Sequence, residues 1–156
     1  MDFKPFIGRL NDCGRYTFTT RILDGYRLDY IISLCLSYVE VTGEVVGFVL
    51  SNCPLIEVLH VKASASLVNL EYSVPLLKLQ HLEVLRCFFL KKIEISAINL
   101  VSFKYYGRRK LSMRLGDLPN LVEVSVKGVC MFTISLWMVA RFQVISFSCL
   151  SCRHLK

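Results

Sequence analysis

The chain is poor in the side chains that usually do chemistry. It has three histidines in 156 residues, His60, His81 and His154. No serine or cysteine motif with nucleophile spacing stands near His60 or His81. The close acid pair Glu40 and Glu44 flanks an expected helix start, where negative charge is favourable in itself. Gly43 and Gly47 lie within a helical pattern, so neither belongs to a phosphate-cradling loop. An enzyme is therefore not expected, and no catalytic or cofactor-binding residue is assigned. Half a zinc motif, Cys149-x-x-Cys152-x-His154, lacks the second pair that a structural site needs, with Cys130 only a distant third thiol. No metal is assigned to it. The opening Met1-Asp2-Phe3-Lys4-Pro5 has no leader pattern. Val129 to Ala140 is apolar for 12 residues before Arg141 interrupts it, against the roughly 20 needed to cross a bilayer. We read it as buried, with no membrane partner.

Acids are scarce as well. There are 12 Asp plus Glu against 19 Lys plus Arg, a formal net charge of +7. That balance favours acidic partners weakly and also keeps a domain dispersed. Apolar residues are abundant at 54%, enough to bury a core. Seven cysteines, at 13, 35, 53, 87, 130, 149 and 152, are odd in number and irregular in spacing. They read as reduced thiols of an intracellular protein, cytoplasmic or nuclear.

The apolar residues follow one recurring phrase: apolar, two variable residues, apolar, one variable residue, apolar. It appears as Ile56-x-x-Leu59-x-Val61, Leu67-x-x-Leu70-x-Tyr72 and Leu79-x-x-Leu82-x-Val84. It returns as Leu90-x-x-Ile93-x-Ile95, Leu100-x-x-Phe103-x-Tyr105 and Leu121-x-x-Val124-x-Val126. A repeated strand phrase of this kind marks a leucine-rich-repeat solenoid, an object that presents surface for binding. The first repeat has room for a helix. Ile31-x-x-Leu34-x-Leu36 opens it, Thr42 can cap a helix over 43–51, and Pro54 stops that helix before the strand at 56–61. After residue 56 the phrases begin at 56, 67, 79, 90 and 100, steps of 10 to 12 residues that leave no room for helices. Two phrases then make one coil, with coil starts at 56, 79, 100 and 121.

The spacing thus predicts a mainly β member of the α/β class, with one or few helices and stacked parallel strands in two sheets. Second-side strands are expected near Leu67–Tyr72, Leu90–Ile95 and Leu111–Met113. The last of these is expected to be loose, because Arg108 stands where an apolar residue should open it. Leu59, Leu70, Leu82, Ile93, Phe103 and Val124 are the expected core, and Cys53 and Cys87 fall where the repeat wants a small buried residue. Three segments result: a poorly defined stretch over 1–30, the solenoid over 31–128, and a divergent apolar stretch over 129–156. In that last stretch the phrase survives only faintly, as Val139-x-x-Phe142-x-Val144.

Several runs are specific enough to suggest a family. They are Leu34 to Val39, Val41-Thr42-Gly43-Glu44, Leu50-Ser51-Asn52-Cys53-Pro54-Leu55-Ile56-Glu57-Val58-Leu59, Leu82-Glu83-Val84, Ile93 to Tyr105, and Leu118-Pro119-Asn120-Leu121-Val122-Glu123-Val124. Residues 31 to about 128 resemble the leucine-rich-repeat region of plant F-box proteins, including those with an FBD-type tail. In that family the F-box docks on the Skp-type adaptor of a cullin ubiquitin ligase, and the repeats hold the substrate. Residues 1–30 contain no F-box-like run of Leu-Pro followed by helical apolar spacing. The resemblance therefore implies a substrate-receptor arm without its ligase handle, with an unknown protein partner and no adaptor contact through this chain alone. A truncated product with no independent function fits the same features.

The repeat also fixes which side chains face out. His60, Glu83, Lys104 and Ser125 should form one ladder, with Val58, His81, Ser102 and Glu123 on one side and Lys62, Leu85, Tyr106 and Lys127 on the other. The candidate partner-binding residues are His60, His81, Glu83, Leu85, Lys104 and Tyr106, with Tyr106 as the anchor. Arg108 and Arg109, in the loop run Arg108-Arg109-Lys110, make a second candidate. A basic adaptor using residues 104–114 on nucleic acid or an anionic surface is the alternative, although no nucleic-acid fold motif accompanies the run. A solvated face and an exposed basic turn are the bland readings of the same residues.

Overall fold

The structure, a computed structural model, describes residues 16–17, 19, 28–116, 118–128, 130–132 and 144–148. Among the described residues there are twelve strands, β1 to β12: Tyr16–Thr17, Ser33–Ser37, Val39–Glu40, Val58–Lys62, Asn69–Tyr72, His81–Leu85, Lys92–Ile95, Ser102–Tyr106, Leu111–Leu115, Glu123–Lys127, Cys130–Phe132 and Val144–Ser148. Among the same residues one α-helix, α1, spans Gly43–Asn52. All strand pairs are parallel. A six-stranded front sheet runs β2-β4-β6-β8-β10-β12, and a four-stranded back sheet runs β5-β7-β9-β11. This is the two-sheet solenoid that the spacing predicts. The sequence alternates over Tyr16-Thr17-Phe18 as a strand would, and the first two of these residues form the short β1, which pairs with β3.

The register explains the phrase. Leu34, Leu59, Leu82, Phe103 and Val124 are successive partners across the front sheet, and so are Leu36, Val61, Val84, Tyr105 and Val126. Each is buried. On the back sheet Leu70, Ile93 and Met113 form the matching ladder. Full burial of one such side chain contributes about 1.5–3 kcal/mol, and stacking lets every coil bury its stripe against two neighbours. The expected core residues are thus all buried, with Cys53 and Cys87 among them.

Four coils enter their front strands, β2, β4, β8 and β10, through the same tight turn. Backbone N–H groups of Ile31, Ile56, Leu100 and Leu121 donate to the carbonyls of Leu28, Cys53, Ala97 and Leu118, three residues earlier. The first of these turns places Leu28 in the core, ahead of the first legible phrase.

Helix α1 fills the back of the first coil, where later coils carry a strand. Thr42 is its N-cap, and its Oγ1 accepts from the Val45 N–H at 3.4 Å. Val45, Val46, Val49 and Leu50, which stand at helical spacing in the sequence, are its buried face. The helix start backs onto β5 so closely that a Cβ at Gly43 would collide with the Asn69 carbonyl. Among the described residues no helix follows Asn52.

The expected strand bounds shift inward by about two residues at several places, because the first apolar residue of each phrase belongs to the turn. Two expectations need correction. Strand β9 is not loose: Leu111, Met113 and Leu115 are all buried. Its frame pairs Met113 with Ile93, so the opening position is Lys110, not Arg108, and Leu111 supplies the missing apolar contact. The faint phrase near the end is also out of frame. Val124 partners Ile145 and Val126 partners Phe147. The fitting frame is Phe142-x-x-Ile145-x-Phe147, which starts 21 residues after Leu121. Apart from β11, the apolar run over 129–140 lies outside the described residues, as do Asp24-Gly25, a turn signal in the sequence, and the Cys149/Cys152/His154 group.

Candidate protein-binding face

The outward positions of the front sheet form three columns. Cys35, His60, Glu83, Lys104 and Ser125 are partners in the central column. Val58, His81, Ser102 and Glu123 flank it on one side, and Lys62, Leu85, Tyr106 and Lys127 on the other. The six candidates His60, His81, Glu83, Leu85, Lys104 and Tyr106 therefore share one face, at neighbouring positions.

The charges on that face are largely matched to one another. Glu83 lies 3.7 Å from His60 Nε2, 3.7 Å from Lys62 Nζ and 3.8 Å from Lys104 Nζ. Lys104 also reaches Glu123 at 3.2 Å, and Ser102 Oγ donates to Glu123 at 2.8 Å. That hydroxyl first, and Lys104 second, hold the Glu123 carboxyl below its ordinary pKa. Partial burial pushes the His60 imidazole below its ordinary value, against the pull of Glu83. The back sheet does the same: Lys92 pairs with Glu71 at 3.0 Å and Glu94 at 2.7 Å, and Arg114 with Glu94 at 3.2 Å. Of the basic residues between Lys78 and Arg114, three are thus matched by acids.

The chain leaves each front strand through a recurring corner. Tyr38, Ala63 and Arg86 occupy the position after β2, β4 and β6 with φ of 59°, 55° and 59°. Gly107 and Gly128 hold the same place after β8 and β10, and Gly128 has φ of 129°. The corner is stitched coil to coil: the N–H of Tyr38, Ala63, Arg86 and Gly107 donates to the carbonyl of Lys62, Leu85, Tyr106 and Lys127 respectively.

At this corner the two sets of candidates meet. Phe88 stands edge-on to Tyr106, with ring centroids 6.4 Å apart and planes at 86°. The Arg108 guanidinium lies over the Phe88 ring at 4.8 Å, and that of Arg109 over Phe89 at 4.8 Å. Leu85, Arg86, Lys104, Tyr106, Arg108 and Lys127 line one open cleft of about 720 Å³, floored by Gly107 and Gly128. The sheet-face residues and the basic loop, treated as rivals on sequence, are parts of one surface. Sequence reasoning missed Phe88, Phe89, Arg86 and the glycine floor. Wrapping the sequence at 21 residues sets Phe88-Phe89 beside Arg108-Arg109-Lys110, and that is the signal that could have found them.

A family model described as "At1g61320/AtMIF1, LRR domain" matches residues 15–148. The chain belongs to that leucine-rich-repeat domain family. No curated protein and no solved structure matches it. Leucine-rich-repeat domains are as a rule protein-binding scaffolds without catalytic residues of their own. Among the described residues of this one, no group of three His, Cys, Asp or Glu could hold a metal ion. No helix among them is long and apolar enough to cross a membrane. Cys35 is exposed, Cys53 and Cys87 are buried, and all three are free thiols. Burial first, and Asp29 second, push the Cys53 thiol up to about 11.

Proposed function

We propose that this leucine-rich-repeat domain is a protein-recognition arm of the kind that holds substrate in plant F-box ubiquitin-ligase receptors. Its partner docks on the front sheet over His60, His81, Glu83, Leu85, Lys104 and Tyr106, with Arg108 and Arg109 at the rim. The observation that supports this reading is the edge-on packing of Tyr106 on Phe88. It holds a large, amphipathic ring in place at low entropy cost, which is what an interface anchor needs. The paired charges around Glu83 favour the same use, since they define a fixed pattern of donors and acceptors instead of a diffuse field.

The test is affinity capture of proteins from plant extract on the immobilised chain, at low and high salt. Tyr106→Ala should lose the specifically captured proteins, a weakening of about 1–2 kcal/mol or more, with the circular-dichroism spectrum unchanged. Capture should tolerate salt. If Tyr106→Ala and Lys104→Ala retain every protein that the parent chain retains, the front sheet is not the docking face. If only nucleic acid is recovered, and salt removes it, the basic-adaptor reading replaces this one.

A further inference from the structure

The corner cleft gathers several basic residues that have no acidic neighbour, as Lys78 and Lys91 also have none outside it. Among the described residues, no acid pairs with Arg86, Arg108, Arg109, Lys110 or Lys127, whereas Lys62, Lys92, Lys104 and Arg114 all have acidic neighbours. Three of the unmatched cations share one edge. Arg86, Arg108 and Lys127 line the cleft.

The floor between them lacks side chains for an internal reason. A Cβ at Gly107 would collide with the Tyr105 hydroxyl, and one at Gly128 with the Gly107 carbonyl. The two glycines are therefore required by packing, and they contribute backbone without side chains to the cleft lining. Arg86 and Lys127 stand two coils apart at its ends, a span of about 10 Å at the usual 4.7–4.9 Å between strands. An extended peptide covers that distance in about three residues at 3.3 Å each.

We infer that this cleft takes an acidic, extended peptide segment of the protein partner, its carboxylates on Arg86, Arg108 and Lys127 and its backbone over Gly107 and Gly128. The inference rests on the protein-recognition reading above and names the chemistry of what is recognised. Two features favour a peptide over nucleic acid. Single-stranded nucleic acid is bound by stacking bases on open aromatic faces, and here one face of Phe88 and one of Phe89 are taken by guanidinium groups. A phosphate chain also needs a continuous basic track, and this one meets Glu83 and Glu123 next to Lys104 as soon as it leaves the corner. An acidic segment about three residues long fits between them.

The probe is a fluorescein-labelled peptide of alternating Glu and Ser, read by fluorescence anisotropy on the full chain, with a Gln–Ser peptide and an oligouridylate as comparisons. Arg86→Gly removes a cation while suiting the left-handed backbone at that position, and Lys127→Ala removes a second. The double variant should weaken binding of the acidic peptide by about tenfold, equivalent to about 1.4 kcal/mol. Lys78→Ala with Lys91→Ala, which removes the same charge elsewhere on the surface, should leave binding within about twofold. Equal losses in the two double variants would mean diffuse attraction to net charge and would overturn the proposal, as would equal affinity for the Gln–Ser peptide. Tighter binding of oligouridylate would assign the cleft to nucleic acid instead. If captured proteins depend on Tyr106 yet survive Arg86→Gly/Lys127→Ala, the recognition reading stands and the acidic-segment inference falls.

Discussion

At the scale of single residues, the corner after each front strand decides how tightly the coils can stack. Three non-glycine residues there, Tyr38, Ala63 and Arg86, hold positive φ. Such a conformation costs about 1–3 kcal/mol per residue and persists only where surrounding bonds over-determine it. Here the N–H donation from each corner to the next coil does so. Sequence could not reveal the corner, because tyrosine, alanine and arginine carry none of the turn spelling that Gly or Asn would. Ala63→Val adds a branched Cβ that the left-handed region excludes, so it should lower unfolding free energy by about 1–3 kcal/mol. Arg86→Gly should be neutral or stabilising. Urea unfolding of the two variants checks both, and a neutral valine would show that position 63 is not constrained. Cys53 gives a second residue-scale prediction. Its folded pKa of about 11 lies above the ordinary 9.0. The unfolded chain then loses that proton first as pH rises, so stability is fully present below pH 9 and falls as pH climbs toward 11. Cys53→Ala should flatten that alkaline decline in a denaturation series.

Among the elements, the front strands were legible and the back strands only partly so. The front phrase is regular because each inward position packs on the same position of two neighbouring coils, and the parallel register permits no slip. Leu111 departs from the phrase in β9, and Val139 imitates an opening position ahead of β12, so a single phrase does not fix either frame. The coil-to-coil step of 21 residues, carried forward from Leu121, fixes the second. Helix α1 was legible from its cap and its four-residue apolar face, and its end from Pro54. Leu82 sits at the centre of the front ladder between Leu59 and Phe103, 1% exposed. Leu82→Ala should therefore cost about 2–5 kcal/mol, as lost burial plus a cavity that rigid strands on either side cannot close. A loss below about 1 kcal/mol in urea unfolding would place Leu82 outside the core.

For the molecule as a whole, a solenoid makes neighbouring coils the source of stability and the sheet faces the source of function. The first was legible because burial imposes a period on the sequence. The second was legible only as a set of outward positions, since the packing of Phe88 on Tyr106 and the cleft beside it depend on which corner residues meet across coils. The same separation bears on the proposed ligase context. In the proposed reading, partner recognition would use the front sheet and its corner, whereas adaptor recruitment in F-box receptors is a property of the F-box, and residues 1–30 carry no such run. Recognition and recruitment should then be separable in this chain. Mixed with the Skp-type adaptor at micromolar concentration, the chain alone should elute apart from it in size-exclusion chromatography. Fusing an F-box ahead of residue 1 should create an adaptor complex while leaving affinity for the acidic peptide within about twofold, because the sites share no residue. A stable one-to-one complex of the unfused chain with the adaptor would mean that the repeats themselves provide the ligase handle, and the recognition arm would then be a complete receptor.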